Sequence, residues 1–230
     1  IQKLNLLKCK TINLDIINKN KSNNFYKFDY TKSNISKNYK NIIKKFGLPD
    51  IFINCAYPKT KDWSQNNFNK IKIDSLKKNL ENQLACSSFL IREVAENSLK
   101  NKKKCNIVML SSIYGLVGQD RDIYKGTNIK ENVSYSIIKG GIINLTKQMG
   151  SYYSKHNIRV NNVSPGGVYD KSKKNNKKYQ KLLRNYSKRC PMKRMAKPEE
   201  IADSIIFLST DMSSYISGIT LIVDGGWTSI

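Results

Sequence analysis

Residues 106–111 read NIVMLS, and the chain continues Ser112-Ile-Tyr-Gly115. Ile107, Val108, Met109 and Leu110 stand side by side with no polar residue between them. Successive side chains of a strand point to opposite faces, so a run that is apolar at every position is buried on both. Strands of that kind belong to parallel sheets covered by helices. Working outward, residues 134–153 carry Ile138, Ile142, Leu145 and Met149 at helical spacing. Residues 158–163 (IRVNNV) and 219–223 (ITLIV) read as strands. Between them, residues 198–208 open on Pro198, Glu199 and Glu200, as helix starts prefer. Toward the start, residues 11–15 (TINLD), 24–29 (NFYKFD) and 50–56 (DIFINCA) read as strands. Residues 35–46 have helical spacing, and 73 to about 99 cover one or two helices. Strands alternating with helices predict an α/β fold: a doubly wound parallel sheet in three αβα layers.

A chain of 230 residues suits one such domain. The formal charge of +24 raises nucleic acid as a partner. Its lysines are scattered in short pieces, which fits a solvated surface, and no specific nucleic-acid partner is expected. The five cysteines are odd in number and form no CxxC, which argues against disulfides and for a reducing, cytoplasmic compartment. A single histidine, His156, excludes a His-based zinc site, and no metal is expected. No apolar run is long enough to span a membrane. Residues 170–195 include the most polar stretch and read as an excursion from the domain beside the substrate.

Tyr135-Ser-Ile-Ile-Lys139 is the central chemical signal. Residues i and i+4 share a helix face, so phenol and ammonium can point into one cleft. A cation about 4 Å from a phenol can lower its pKa by roughly three units if desolvation is ignored. That predicts Tyr135 near neutrality, where a general acid/base works best. Ser111 and Ser112 end the apolar strand, at the carboxyl edge of the sheet where ligands bind. Ser164-Pro-Gly-Gly167 ends the next strand, and Asp224-Gly-Gly226 follows the last.

These pieces, in this order over nearly the whole chain, resemble the short-chain dehydrogenase/reductase family in its compact, single-domain Rossmann branch. The resemblance implies an NAD(P)-dependent oxidoreductase that interconverts an alcohol and a carbonyl. It makes Tyr135 the proton donor or acceptor. It puts Lys139 on the nicotinamide ribose and Ser112 on the substrate oxygen. Pro165, Gly166 and Val168 fall on the segment that packs against the nicotinamide end. Gln83, with Asn82 beside it, falls where the family has an asparagine that supports a water chain to the lysine. A surface amide on a helix is the other reading of Gln83. The resemblance also implies a homodimer or homotetramer, with the helix at 134–153 a candidate contact.

At the cofactor end, Asp15 falls on the acid that binds the adenosine ribose. A carboxylate there accepts from ribose hydroxyls and repels a 2′-phosphate, which favours NAD, while Lys19 and Lys21 leave NADP open. Asp29 falls beside the adenine. Asn54-Cys-Ala-Tyr57 stands where the family has NNAG, with Asn54 and Ala56 kept. Cys55 reads as packing, and Tyr57 narrows the cleft and could meet substrate. The glycine-rich turn of the family is absent. The ribose-binding acid should lie about 20 residues beyond it, so the chain reads as an N-terminal fragment lacking the first strand and that turn, and 1–10 as the tail of the first helix.

Residues 113–134 form a longer segment than is usual in the family. With AYPKTKDW after Cys55, they resemble the subgroup near flagellin-modification and nonulosonic-acid-type sugar enzymes. The expected substrate is small and sugar-like or otherwise polar, with Asp120, Arg121, Asp122 and Tyr124 as candidate contacts. Two rivals remain. One is a catalytically silent Rossmann-fold binding protein. The other is a nucleotide-sugar epimerase or dehydratase, for whose usual second domain 230 residues leave little room.

Overall fold

The computed structural model describes residues 1–18, 24–32 and 34–230. Lys19 and Lys21 therefore lie outside the described residues. Six strands, β1 (Asn13–Asp15), β2 (Phe25–Lys27), β3 (Ile51–Asn54), β4 (Cys105–Leu110), β5 (Ile158–Pro165) and β6 (Thr220–Val223), are described. All pair in parallel, β1 with β2 in one piece and β3-β4-β5-β6 in another. The strands at the start are shorter than the sequence suggests, three residues each.

The alternation in β4 decides the layers. Cys105, Ile107 and Met109 point to one face, into a core with Leu90, Val94, Ile138, Ile142 and Val160. That face is covered by α2 (Ile35–Phe46), α4 (Cys86–Lys100) and α5 (Val133–Tyr153). Val108 and Leu110 point to the other face, with Val163 and with Ile201, Ile205 and Leu208 of α7 (Pro198–Ser209). The result is the expected three-layer α/β fold. Each fully buried aliphatic side chain contributes about 1.5–3 kcal/mol, so these two cores dominate the stability.

Two elements differ from the sequence reading. The helical stretch from Ile73 is broken by a wide turn: α3 (Ile73–Leu80), a π-helical segment (Glu81–Ala85), then α4. The polar stretch at 170–195 holds a regular helix, α6 (Lys177–Arg189), capped by Asn176, whose side chain accepts from the amides of Lys178 and Tyr179. Its Tyr179, Leu182 and Tyr186 are buried against Ile113, Ile123 and Trp227. Three apolar contacts at i, i+3 and i+7 suffice to dock a helix that is otherwise cationic. At the start, α1 (Gln2–Leu6) forms a short helix, and Lys3 pairs with Asp203 of α7. No helix among the described residues is long and apolar enough to cross a membrane.

The far end of α5 meets the turn before β6 with no room for a side chain. A Cβ at Gly150 would stand 2.4 Å from the Cα of Gly218, which itself holds φ +78°. Neither partner is a flexible side chain, so the backbone must shift. Gly150→Ala should therefore cost about 2 kcal/mol or more, in the range of overpacked cores. Urea unfolding of the two proteins measures it, and an unchanged midpoint would show that the contact yields freely.

Candidate active site

The site is assembled where the end of β4 meets one turn of α5. Ser111 Oγ donates to the Lys139 carbonyl at 2.8 Å, and Lys139 Nζ donates back to the Leu110 carbonyl at 2.9 Å. Gly115 permits the approach, since a Cβ there would stand 2.6 Å from the carbonyl carbon of Lys139. Ser112 is buried, accepts from the Tyr114 amide at 3.2 Å, and lies close enough to the Tyr135 phenol to favour its charged form. Asn132 caps α5 by accepting from the Tyr135 amide at 2.9 Å, which fixes the first turn of the helix beneath the phenol. The structure thus brings Ser112, Tyr135 and Lys139 together.

Their electrostatics depart from the expectation. Lys139 lies 5.5 Å from the Tyr135 ring centroid and 5.6 Å from that of Tyr57, over the two rings. Burial depresses its ammonium to about 8. Burial also pushes the Tyr135 phenol above its ordinary value, and Ser112 opposes the rise. The predicted fall of Tyr135 toward neutrality is therefore corrected: desolvation is the dominant cause, and it raises the phenol instead.

Behind Lys139 a small cavity of about 10 Å³ is lined by Asn54, Ala56, Gln83, Ser87 and Lys139. That is about the space one water needs. Gln83 is buried on the π-helical turn, and its Nε2 has no hydrogen-bond partner. The surface-amide reading of Gln83 is thereby ruled out. Asn54 Nδ2 donates to Ser87 at 2.6 Å, and its Oδ1 accepts from the Ala56 amide at 3.3 Å. Cys55, read as packing, lies where the chain leaves the sheet; the residue is exposed, while its thiol is buried enough that desolvation pushes it up.

Asp15 ends β1 and is exposed, its Oδ1 accepting from the amides of Ile16 and Ile17. Asp29 lies just beyond β2, accepting from the Thr31 amide and hydroxyl. Pro165 ends β5, and the Gly166 amide bonds the Val223 carbonyl at 3.0 Å. Val168 bridges to Ala196. Gly167 donates to the Tyr186 hydroxyl at 2.8 Å, so α6 is tied to this segment. Tyr57 packs edge-on against Tyr135, ring centroids 5.9 Å apart. Tyr124 hydrogen-bonds Tyr114 and lies within electrostatic reach of Tyr135. Asp120, Arg121 and Asp122 are occupied elsewhere: they pair with Arg189, Glu131 and Lys125. These pairs are how a surface loop satisfies its own charges, and the three residues are not gathered at the site. Sequence reasoning passed over Trp63, which packs against both Tyr57 and Tyr135.

Comparison with known proteins fits this geometry. The family model described as Enoyl-(Acyl carrier protein) reductase matches residues 14–228. A post-translational flagellin modification protein A of Campylobacter coli is 30% identical over 184 residues, 80% of this chain and 69% of that protein. Glucose 1-dehydrogenase 2 of Bacillus subtilis is 34% identical over 142 residues, 61% of this chain and 51% of that protein. The crystal structure of a short chain dehydrogenase from Leptospira borgpetersenii with bound NAD+ superposes with a TM-score of 0.85 at 27% identity, covering 99% of this chain and 86% of that one. The chain belongs to the short-chain dehydrogenase/reductase family.

The buried Lys139 gives a test of these electrostatics. Its folded pKa of about 8 lies below the ordinary 10.5. Between those values the unfolded chain binds more protons, so stability rises with pH; below about 8 the full cost of the buried charge is present. Lys139→Met should leave the melting temperature at pH 7 unchanged or raised, and that advantage should shrink as pH climbs toward 10. Thermal melts across that window read it directly. A variant that loses several degrees at pH 7 would show that the ammonium stabilises the fold.

Proposed function

We propose that this protein is an NAD(P)-dependent oxidoreductase interconverting an alcohol and a carbonyl on a sugar-like, polar substrate, with Tyr135 transferring the proton. The observation that carries the reading is the convergence of Ser112, Tyr135 and Lys139 on one cleft at the carboxyl edge of the sheet. A buried ammonium whose partner is a single carbonyl has donors left for ribose hydroxyls, which suits the nicotinamide ribose. Asp15 would hold the adenosine ribose, and Asp29 the adenine end. Asn54, Ala56, Pro165, Gly166 and Val168 would line the path between. When bound, the nicotinamide supplies the hydride exchange at the carbon that bears the reacting oxygen.

The protein's own groups do the rest. Ser112 donates its hydroxyl hydrogen to the substrate oxygen and orients it. Tyr135, held protonated by burial, gives its phenolic proton to that oxygen as a carbonyl is reduced. In the reverse direction the Tyr135 phenolate oxygen takes the proton from the alcohol. Gln83 would hold a water in the small cavity and so link Lys139 to solvent. Tyr57 and Tyr124 border the substrate. The sugar-like substrate is supported by the named activity of the Bacillus relative and by the polar loop beside the cleft. We also read a cytoplasmic homodimer or homotetramer, supported by five free cysteines and by exposed Phe89, Ile137 and Tyr152 on α4 and α5.

Tyr135→Phe should lower kcat by at least about a hundredfold, the usual worth of a positioned acid/base, while calorimetry finds NAD binding nearly intact. A variant that keeps more than a few per cent of turnover would remove Tyr135 from this role.

Asp15 should make NAD the preferred cofactor. The ratio of kcat/KM with NAD and NADP checks it, and Asp15→Ala should narrow the gap by weakening NAD. Equal or better use of NADP by the unaltered protein would overturn the assignment.

A further inference from the structure

Three aromatic rings form a corner at the proton-transfer site. Tyr57 and Trp63 meet at 86° with centroids 5.5 Å apart, Tyr57 and Tyr135 at 81° and 5.9 Å, and Trp63 and Tyr135 at 81° and 6.3 Å. Tyr57 nonetheless stays 40% exposed. An exposed aromatic side chain beside a catalytic group is not needed to fill a core.

The loop that carries two of these rings is braced at several points. Asn132, which caps Tyr135, donates through Nδ2 to the Trp63 carbonyl at 2.8 Å. Asn66 is buried, donates to Ser75 at 2.8 Å, and accepts from the Ser134 hydroxyl. Ser75 donates in turn to Asp62 at 2.8 Å. The Val133 amide closes the ring by donating to the Asn66 carbonyl at 2.8 Å. Buried polar networks of this kind, when satisfied, fix one arrangement. Here the fixed arrangement is that of Tyr57 and Trp63 relative to Tyr135, since both ends of the network lie on the first turn of α5.

A rigid aromatic corner recognises a particular shape. Ring faces carry negative charge and ring edges positive charge. The axial C–H bonds of a sugar ring form a flat, weakly positive, apolar face, while its hydroxyls point outward around the rim. Such a face lies against aromatic walls without leaving a polar group unpaired. The Lys59 ammonium, 5.2 Å from the Tyr57 centroid, stands ready to bond a hydroxyl at that rim. An acyclic polyol has no flat face to offer.

We propose that Tyr57 and Trp63, with Tyr135, form a recognition corner for the C–H face of a six-membered sugar ring, and set a preference for cyclic over acyclic substrates. The proposal rests on the oxidoreductase reading for where the reacting oxygen sits, at Tyr135 and Ser112. Its test does not depend on turnover. The sequence has two tryptophans, so Trp227→Phe leaves Trp63 as the sole indole reporter.

Its emission is followed in that variant while D-glucose, L-rhamnose, UDP-glucose and the acyclic polyol D-arabinitol are added separately. At least one pyranose should give a saturable shift, and arabinitol should give none. Adding Tyr57→Ala should weaken that binding about tenfold, as loss of an aromatic contact does, and Tyr57→Phe should restore it. If no pyranose shifts the emission, or if arabinitol shifts it equally, the proposal is overturned. In parallel, turnover of the bound sugar is assayed with NAD and NADP. Saturable pyranose binding without turnover upholds the corner and sinks the oxidoreductase reading alone. Turnover that Tyr57→Ala lowers equally for pyranose and arabinitol would show that the rings merely support Tyr135, and would overturn the corner.

Discussion

The clamp between the end of β4 and one turn of α5 is the contact on which the site hangs. Ser111 bonds the Lys139 carbonyl, Lys139 bonds the Leu110 carbonyl, and Gly115 lets the two backbones close. Each bond alone is worth about 1 kcal/mol. Their value lies in position: they tie the strand that delivers Ser112 to the helix that delivers Tyr135 and Lys139. A shift of α5 along the sheet by one turn would break all three at once. The hydroxyl and the phenol are then set by backbone geometry, not by the choice of side-chain rotamers.

The same clamp buries a cation, with room beside it for about one water. Lys139 has a carbonyl below it and two aromatic rings beside it, and no carboxylate among its hydrogen-bond partners. Ring faces attract a cation, more so when it is desolvated. They soften the cost of burial without neutralising the charge. A carboxylate partner would stabilise the fold better and would occupy the donors that the proposed ribose contact uses. The depressed pKa of Lys139 reflects that compromise, since burial is the cause that dominates it.

What the sequence disclosed follows from the range of each interaction. The apolar run of β4 and the four-residue spacing of Tyr135 and Lys139 are local patterns, so the fold class and the central site could be read directly. Helix α6 was hidden because its composition is cationic, although Tyr179, Leu182 and Tyr186 carry the helical period. The partnership of Trp63 with Tyr135 spans more than seventy positions, and no periodicity predicts it. The sign of the Tyr135 shift depended on weighing desolvation against a charge whose direction only the structure gives. Gln83 could be placed by resemblance, but the wide turn that buries it has no sequence mark of its own.

The two ends of the cleft are built to different standards. Asp15 and Asp29 stand on a pair of three-residue strands, and each carboxylate is engaged chiefly by amides or a hydroxyl within two residues of itself. Such turns fix a carboxylate locally and transmit little to the rest of the molecule. The substrate end is the reverse: Trp63, Asn66, Ser75, Asn132 and Ser134 belong to different elements and hold one another through buried hydrogen bonds. Exchanging a charge at the first end breaks only local bonds and leaves the frame standing. Removing one member of the second leaves a buried donor or acceptor unpaired, which costs about 1–3 kcal/mol and loosens the wall beside Tyr135. On the proposed reading, cofactor choice would therefore be the more easily altered property, whereas the wall beside Tyr135 is tied to the stability of the protein itself.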